Sequence, residues 1–513
     1  MLTMNLDKKS LVILSLMYIY LPIVIFLGTW TRPYIALACI GVLFLCALRC
    51  IRSSRNPSGQ AADGNIQTGL WTVLGSLLFF IAIGYYAGYG RFADQPFDWY
   101  KHNAIMADLT SRPWPVYYTN RNEYSMLTYY IAQYIVPSAI GKIFGSFRCT
   151  EIALYAWNIL GIFLVFLHMV SYLKSKSSGG QILCALAIPL FSLPVALSRL
   201  VLKYFTGTSD EFETGIDFVN WYYYNDGIKI QYFDNFYHLR WTFPQVITIW
   251  LILMLFLEYK TYIKYYVLIM LPGMLYSSFS FVGMLPLAFG YVLERICKKD
   301  KNVYFQMLSF ENISVILTTG LVFIFYFYGN VGGEKPDGIN FHLMPYGPET
   351  AVVYFAFVGI NVLIYFLVLF KDHKNDGIYY ASFGTLAFLP LVSMGLHNDL
   401  LTRSAIPSLF IVMIYLMLFL RDQRLRLGAG NFTKSIIVAV CLVLLAVGAY
   451  YPLAQLADRM ATEDYHSLGR GYWWPTMEGW ANRKLRAKDD LKYNYYTYDL
   501  KDKFFYKYLA PHD

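Results

Sequence analysis

YSMLTYYIAQYIVPSAIGKIFG, residues 124–145, either crosses the membrane or lies along it, and the topology of all that follows turns on which. It is apolar and long enough to cross a bilayer, but Gln133 and Pro137 interrupt it. A crossing here would invert every later loop. The rest of the chain therefore has to decide whether it spans.

Of 513 residues, 57% are hydrophobic and 15% charged, with a mean hydropathy of +0.41. A soluble domain averages about 25% charged residues. Apolar runs of about 16 to 22 residues recur along the chain, each close to the length of a membrane crossing. They lie near 11–28, 33–48, 69–89, 151–173, 181–198, 243–258, 265–277, 279–294, 311–329, 351–370, 377–396, 404–420 and 434–455. The joint Ser277-Ser278-Phe279-Ser280 is either a hairpin apex or a kink in one long helix. The expected fold class is an all-α polytopic membrane protein with about 13 transmembrane helices.

Basic residues in short loops set the orientation. With a cytoplasmic N-terminus, the cytoplasmic side holds Lys8, Lys9, Arg49, Arg52, Arg55, Lys174, Lys176, Lys260, Lys264, Arg295, Lys298, Lys299, Lys301, Lys371, Lys374, Arg421, Arg424, Arg426 and Lys434. The opposite short loops hold only Arg32, Lys335 and Arg403. That asymmetry places 124–145 along the surface, and the C-terminus outside the cytoplasm. A cell membrane, inner or plasma, is the expected location. The first segment runs on as Leu27-Gly28-Thr29-Trp30 without a small-residue cleavage site, so it reads as an anchor.

The net charge of +9 thus reflects topology, and nothing in the chain resembles a nucleic-acid module. Six of seven cysteines fall in or beside spans, which argues against a disulfide framework. No Cys/His spacing suits a metal site. The cytoplasmic loops lack a nucleotide fingerprint.

The expected organisation is N-terminal spans over 1–89 and a first outer loop with surface helices over 90–150. A bundle follows over 151–455, with outer loops 199–242 and 330–350, and an outer tail over 456–513. The outer face carries six of the eight histidines: His102, His238, His342, His397, His466 and His512.

The first outer loop holds Asp98-Trp99-Tyr100-Lys101-His102-Asn103. An acid, a base and a histidine together at a membrane interface suggest a use. Residues 97–111 read as an amphipathic helix on the interface. Asp98 is then either its N-cap or a reactive carboxylate. Lys101 and His102 either snorkel to headgroups or serve a site. Asp94 reads as a loop acid, and Asp108 as a solvated position.

The second outer loop has 11 aromatics among the 26 residues 218–243. It reads as an interfacial belt or as a sugar-stacking platform with Asp234, His238, Arg240 and Trp241 as polar handles. Near residue 400, His397 and Arg403 stand at the outer membrane surface, where a guanidinium can hold a phosphate at two points.

Two stretches carry a family resemblance. FDWYKHNAIMADL, 97–109, is similar to an acidic motif followed by an amphipathic helix. MLTYYIAQYIVPSAIGKIFG, 126–145, is similar to the surface helix that comes next, with Tyr129, Tyr130, Lys142, Phe144 and Gly145 in matching places. Residues 149–174 match the following helix. The chain resembles the GT-C superfamily of integral-membrane glycosyltransferases, most closely the protein O-mannosyltransferase and aminoarabinose-transferase branch. Arg403 and Pro407 match a late motif in which Ser404 replaces a tyrosine, and Trp99 stands where a second acid is common.

The resemblance implies transfer from a polyprenyl-phosphate sugar, with inversion, to a glycan, lipid or protein hydroxyl. Asp98 would be the general base, and His102, Asp234 and His238 the other candidate catalytic groups. Lys101, Tyr129, Tyr130, Arg240, Trp241, His397 and Arg403 would bind substrate. No cofactor is required. A diphosphate donor would allow a divalent cation between Asp94 and Asp98. The competing readings are a ligase or polymerase acting on a polyprenyl-diphosphate glycan, and a lipid or glycan transporter.

Overall fold

Asp7 opens the bundle. Its carboxylate accepts from the Lys9 and Ser10 amides and caps the 23-residue helix Lys8–Trp30 (α1). The computed structural model describes residues 3–53, 66–96, 98–120, 123–198, 201, 222–224, 228–330, 342–343, 348–394, 398–424, 432–462, 495–497 and 499–511. The chain continues through Pro33–Ser53 (α2), Leu70–Tyr86 (α3), Trp99–Ser111 (α4), Ala132–Phe144 (α5), Phe147–Tyr172 (α6) and Ser178–Leu190 (α7). Asn235–Trp241 (α8) and Ile247–Tyr259 (α9) follow. Next come Ile263–Tyr276 (α10), Ser278–Cys297 (α11), Asn302–Tyr328 (α12), Ala351–His373 (α13) and Gly377–Leu391 (α14). Asp399–Arg424 (α15) and Phe432–Thr462 (α16) complete the bundle.

Each of the thirteen apolar runs coincides with one of these helices. Eight helices among the described residues are long and apolar enough to cross a membrane: α1, α2, α6, α11, α12, α13, α15 and α16. The chain is thus a mostly helical, multi-pass membrane protein. Helices α3, α7, α10 and α14 are apolar but shorter. The outer faces agree with a lipid solvent, since Leu37, Phe44, Phe289, Leu317, Leu367 and Val443 are all well exposed. In water such a perimeter would aggregate.

The 124–145 stretch splits in two. Glu123–Met126 pairs antiparallel with Tyr117–Asn120 in a hairpin, and only α5, 13 residues long, is helical. No continuous helix therefore runs over 124–145. Ser277 breaks the chain between α10 and α11 with an extended backbone, and its hydroxyl accepts from the Ser280 amide to start α11.

Helices α9 and α15 form the centre, and almost every side chain along α9 is buried. The chain enters α9 through an elbow: α8 meets Phe243–Tyr259 at 113°. Pro244 sits at the elbow, where its missing N–H and fixed φ favour a break over a continuous helix.

Candidate functional site

The N-terminal ends of α4, α9 and α15 carry the candidate groups, and helix N-termini favour negative charge. Trp99 ties α4 to the elbow. Its indole N–H donates to the Arg240 carbonyl at 2.8 Å, and its ring stacks on Phe243 at 4.7 Å. The residue that stands in place of a second acid is therefore a structural anchor. Tyr89 braces the same elbow by donating to the Leu239 carbonyl.

Asp98 precedes α4 with helical backbone angles, and its side chain makes no capping bond. Its carboxylate faces Lys101 Nζ at 3.1 Å and retains a third of its side-chain surface. Burial pushes the carboxyl up, but the Lys101 and Arg403 charges outweigh it and hold Asp98 below the usual carboxylate range. Its neighbours Trp99, His102 and Asn103 are buried, so Asp98 is a partly open point in a buried setting, here termed the recess.

His102 is buried, and its Nδ1 lies 2.6 Å from the Tyr134 hydroxyl. Burial, helped by the Lys101 charge and opposed by Asp98, pushes its imidazole down to about 3. It is therefore neutral at physiological pH and positions Tyr134 without storing a proton.

Arg403 pairs with Asp399 one turn earlier, while its buried Nε has no hydrogen-bond partner among the described residues. Helix α11 fixes its backbone. Ser280 Oγ donates to the Arg403 carbonyl at 3.2 Å, and Ser404 Oγ donates to the Phe279 carbonyl at 2.9 Å. A Cβ on Gly283 would come within 2.1 Å of the Ser404 carbonyl, so only glycine allows this approach of α11 to α15.

Asp234 takes the capping role that Asp98 leaves. It accepts from the Tyr237 amide at 2.7 Å and from Gln455 Nε2 at 2.9 Å. Burial, opposed by those bonds, raises its carboxyl to about 6. His238 is buried, with Nδ1 2.9 Å from Thr242 Oγ1. Phe233, Tyr237 and Trp241 stack in a column along α8, at 3.9 Å and 5.6 Å between successive centroids. Arg240 is buried and pairs with Asp94 at 3.7 Å, and Arg459 reaches the same carboxylate at 3.2 Å.

Tyr129 and Tyr130 join through their hydroxyls, and Tyr130 accepts from Gln245 Nε2. The tail closes over this pair. Thr128 N–H donates to the Tyr495 carbonyl, Thr497 N–H to the Met126 carbonyl, and the Tyr495 ring meets Tyr129 at a tilt, 4.7 Å between centroids. Burial and the Asp98 charge keep the Tyr495 hydroxyl protonated, while Arg403 acts in the opposite sense, so Tyr495 stands within reach of both charges.

Asp98, Lys101, His102, Tyr129, Tyr130, Arg403 and the elbow residues therefore gather around one recess. His397 lies outside the described residues. Asp108 is not solvated. It is fully buried, bonded to the Tyr118 hydroxyl at 2.9 Å and to Arg112 Nε at 3.2 Å, because the 117–126 hairpin covers α4. Packing against α5 and α6 buries residues 102–109, so α4 lies inside the protein and not on the interface.

No local motif marks Gln245 or Arg459, and the sequence did not single them out. Several buried polar atoms here lack a partner among the described residues, His238 Nε2, Trp241 Nε1, Gln245 Oε1 and Arg403 Nε among them. Each such group costs about 1–3 kcal/mol unless something satisfies it, as a ligand would.

Among the described residues no three His, Cys, Asp or Glu side chains are grouped to hold a metal ion. Asp94 and Asp98 are already paired with cations, which disfavours a divalent ion between them. No protein-family model, curated protein or solved structure matches this chain.

Proposed function

We propose that this protein is a membrane glycosyltransferase that moves a sugar from a polyprenyl-phosphate donor to an acceptor hydroxyl on the extracytoplasmic face. The observation that carries the reading is Asp98, an ionised, partly exposed carboxylate that caps nothing and lies beside Lys101, within the field of Arg403. In the reaction the acceptor oxygen attacks the anomeric carbon and gives its proton to Asp98. The carbon–oxygen bond to phosphate breaks, and polyprenyl phosphate leaves with the electron pair. Charge gathers on that phosphate in the transition state, where Arg403 and Lys101 stabilise it. The Phe233–Tyr237–Trp241 column suits the C–H face of a sugar ring.

The same cations give a pH signature. Asp98 must be ionised to act, so the rate falls as pH drops through its pKa. In the free enzyme Lys101 and Arg403 hold that pKa low. A bound phosphodiester, which does not titrate in this range, offsets those charges and raises it. The acid limb of kcat, which reports the complex, is expected at higher pH than that of kcat/KM, which reports the free enzyme. Coincident limbs in a steady-state pH series would contradict the arrangement.

The extracytoplasmic placement rests on the loop charges, with the N-terminus in the cytoplasm and all thirteen apolar helices crossing. A reporter active only outside the cytoplasm, fused after Asp513, is expected to give signal. Signal from a cytoplasm-only reporter would put the recess on the other face.

A second reading has one observation in its favour: Arg240 and Arg459 converge on Asp94, close in sequence to Asp98. More guanidinium suits a diphosphate leaving group and transfer of a whole glycan. Incubation with radiolabelled donors separates the two. Consumption of the polyprenyl-phosphate monosaccharide supports the first, and consumption of only the polyprenyl-diphosphate glycan supports the second.

A further inference from the structure

At the opposite end of α9 from Gln245 lies a second cavity, of about 800 Å³, bounded by the N-terminus of α1, the C-termini of α6 and α9, and the start of α12. Its lining carries Lys8, Lys174, Lys260 and Lys264 against one carboxylate, Glu258, a net of +3 (four lysines less one glutamate). Lys174, Lys260 and Lys264 form no ion pair among the described residues. Lys260 and Lys264 instead lie over the rings of Tyr291 and Tyr265 at 5.9 and 5.0 Å.

Glu258 is fixed in place. It lies 3.8 Å from Lys8 Nζ and 3.0 Å from His168 Nδ1, while His168 Nε2 meets Ser15 Oγ at 2.8 Å. The order serine–histidine–glutamate is that of a hydrolytic relay, but Ser15 is fully buried and no substrate can reach it. The relay instead orients Glu258 and, through it, Lys8 at the wall of the cavity.

The rim is apolar. Phe305, a lining residue, is 79% exposed, and Leu308 beside it is 73% exposed. A soluble anion has no use for such side chains at the mouth, whereas an acyl chain does.

We propose that this cavity binds the phosphate headgroup of an anionic phospholipid from the adjoining leaflet. The lysines take the phosphate, and the acyl chains leave past Phe305 and Leu308. A basic pocket between helices at a membrane surface is the expected chemistry for such a headgroup. This site lies apart from the Asp98 recess and does not depend on the transferase reading.

The test uses the full chain, purified and delipidated in detergent and titrated with phosphatidylglycerol, with bound lipid counted by native mass spectrometry. Wild type is expected to hold phosphatidylglycerol more tightly than phosphatidylcholine. Lys174→Gln with Lys264→Gln should weaken phosphatidylglycerol by about 10- to 30-fold, from about fivefold per lysine near the surface. Lys298→Gln, outside the cavity, should change nothing. If the double variant does not fold, Lys174→Gln alone is expected to cost about fivefold. Equal affinity of variant and wild type, or no preference over phosphatidylcholine, would overturn the proposal. Displacement of the lipid by equimolar inorganic phosphate would also overturn it, in favour of a soluble anion.

Discussion

Asp98→Asn is expected to lower the transfer rate by about 10²- to 10⁴-fold, the usual cost of losing a general base. The substitution keeps the size of the side chain and can still receive the Lys101 hydrogen bond, but it cannot take a proton. A capping role would predict the reverse outcome, because asparagine caps as well as aspartate. The backbone before α4 already speaks against capping, since Asp98 is helical there and its carboxylate bonds to Lys101. The comparison is made at matched amounts of folded, membrane-inserted protein. A rate within a fewfold of wild type would make Asp98 structural. The base would then have to be found elsewhere in the recess, where Asp234 is occupied as a cap and His238 is tied to Thr242.

Arg403→Ala is expected to cost about 10²- to 10³-fold in kcat, the scale for removing one donor from a developing oxyanion. Arg403→Lys should restore only part of this, since an ammonium cannot make a planar two-point contact with phosphate. Alanine also leaves Asp399 without its partner. Asp399→Asn separates the two effects, because it removes the ion pair and leaves the guanidinium. That variant should stay within a fewfold of wild type. Equal losses in Arg403→Ala and Asp399→Asn would mean that the ion pair itself, and not a phosphate contact, is what matters.

The eight long apolar helices were legible because lipid imposes long hydrophobic segments that few other constraints produce. The brevity of α5 was legible only in part. Pro137 and Gln133 signalled an interruption, but the hairpin at 117–126 carries no strong turn signal. That hairpin is why Asp108 was misread: its neighbours on α4 look solvated until Tyr118 folds over them.

The Asp98–Lys101–His102 group was visible because charged residues are conspicuous in so apolar a chain. Gln245 and Arg459 were invisible for the opposite reason. Gln245 sits in an apolar run and Arg459 follows a long span, while Tyr495 is one of several tyrosines in the outer tail. Only the elbow between α8 and α9, together with the return of the tail to residues 126–128, brings them to the recess. Ser404 looked like a departure from a motif. In the structure its hydroxyl ties α15 to α11 through the Phe279 carbonyl.

The central claim is that Asp98 and Arg403 act on a lipid-linked sugar phosphate. The most direct test incubates purified wild type, Asp98→Asn and Arg403→Ala with radiolabelled polyprenyl-phosphate sugars in bilayer nanodiscs, following release of polyprenyl phosphate. The account predicts release by wild type and a loss of at least about 10²-fold in both variants. Equal release by all three, or none by wild type with any polyprenyl-phosphate sugar, would contradict it.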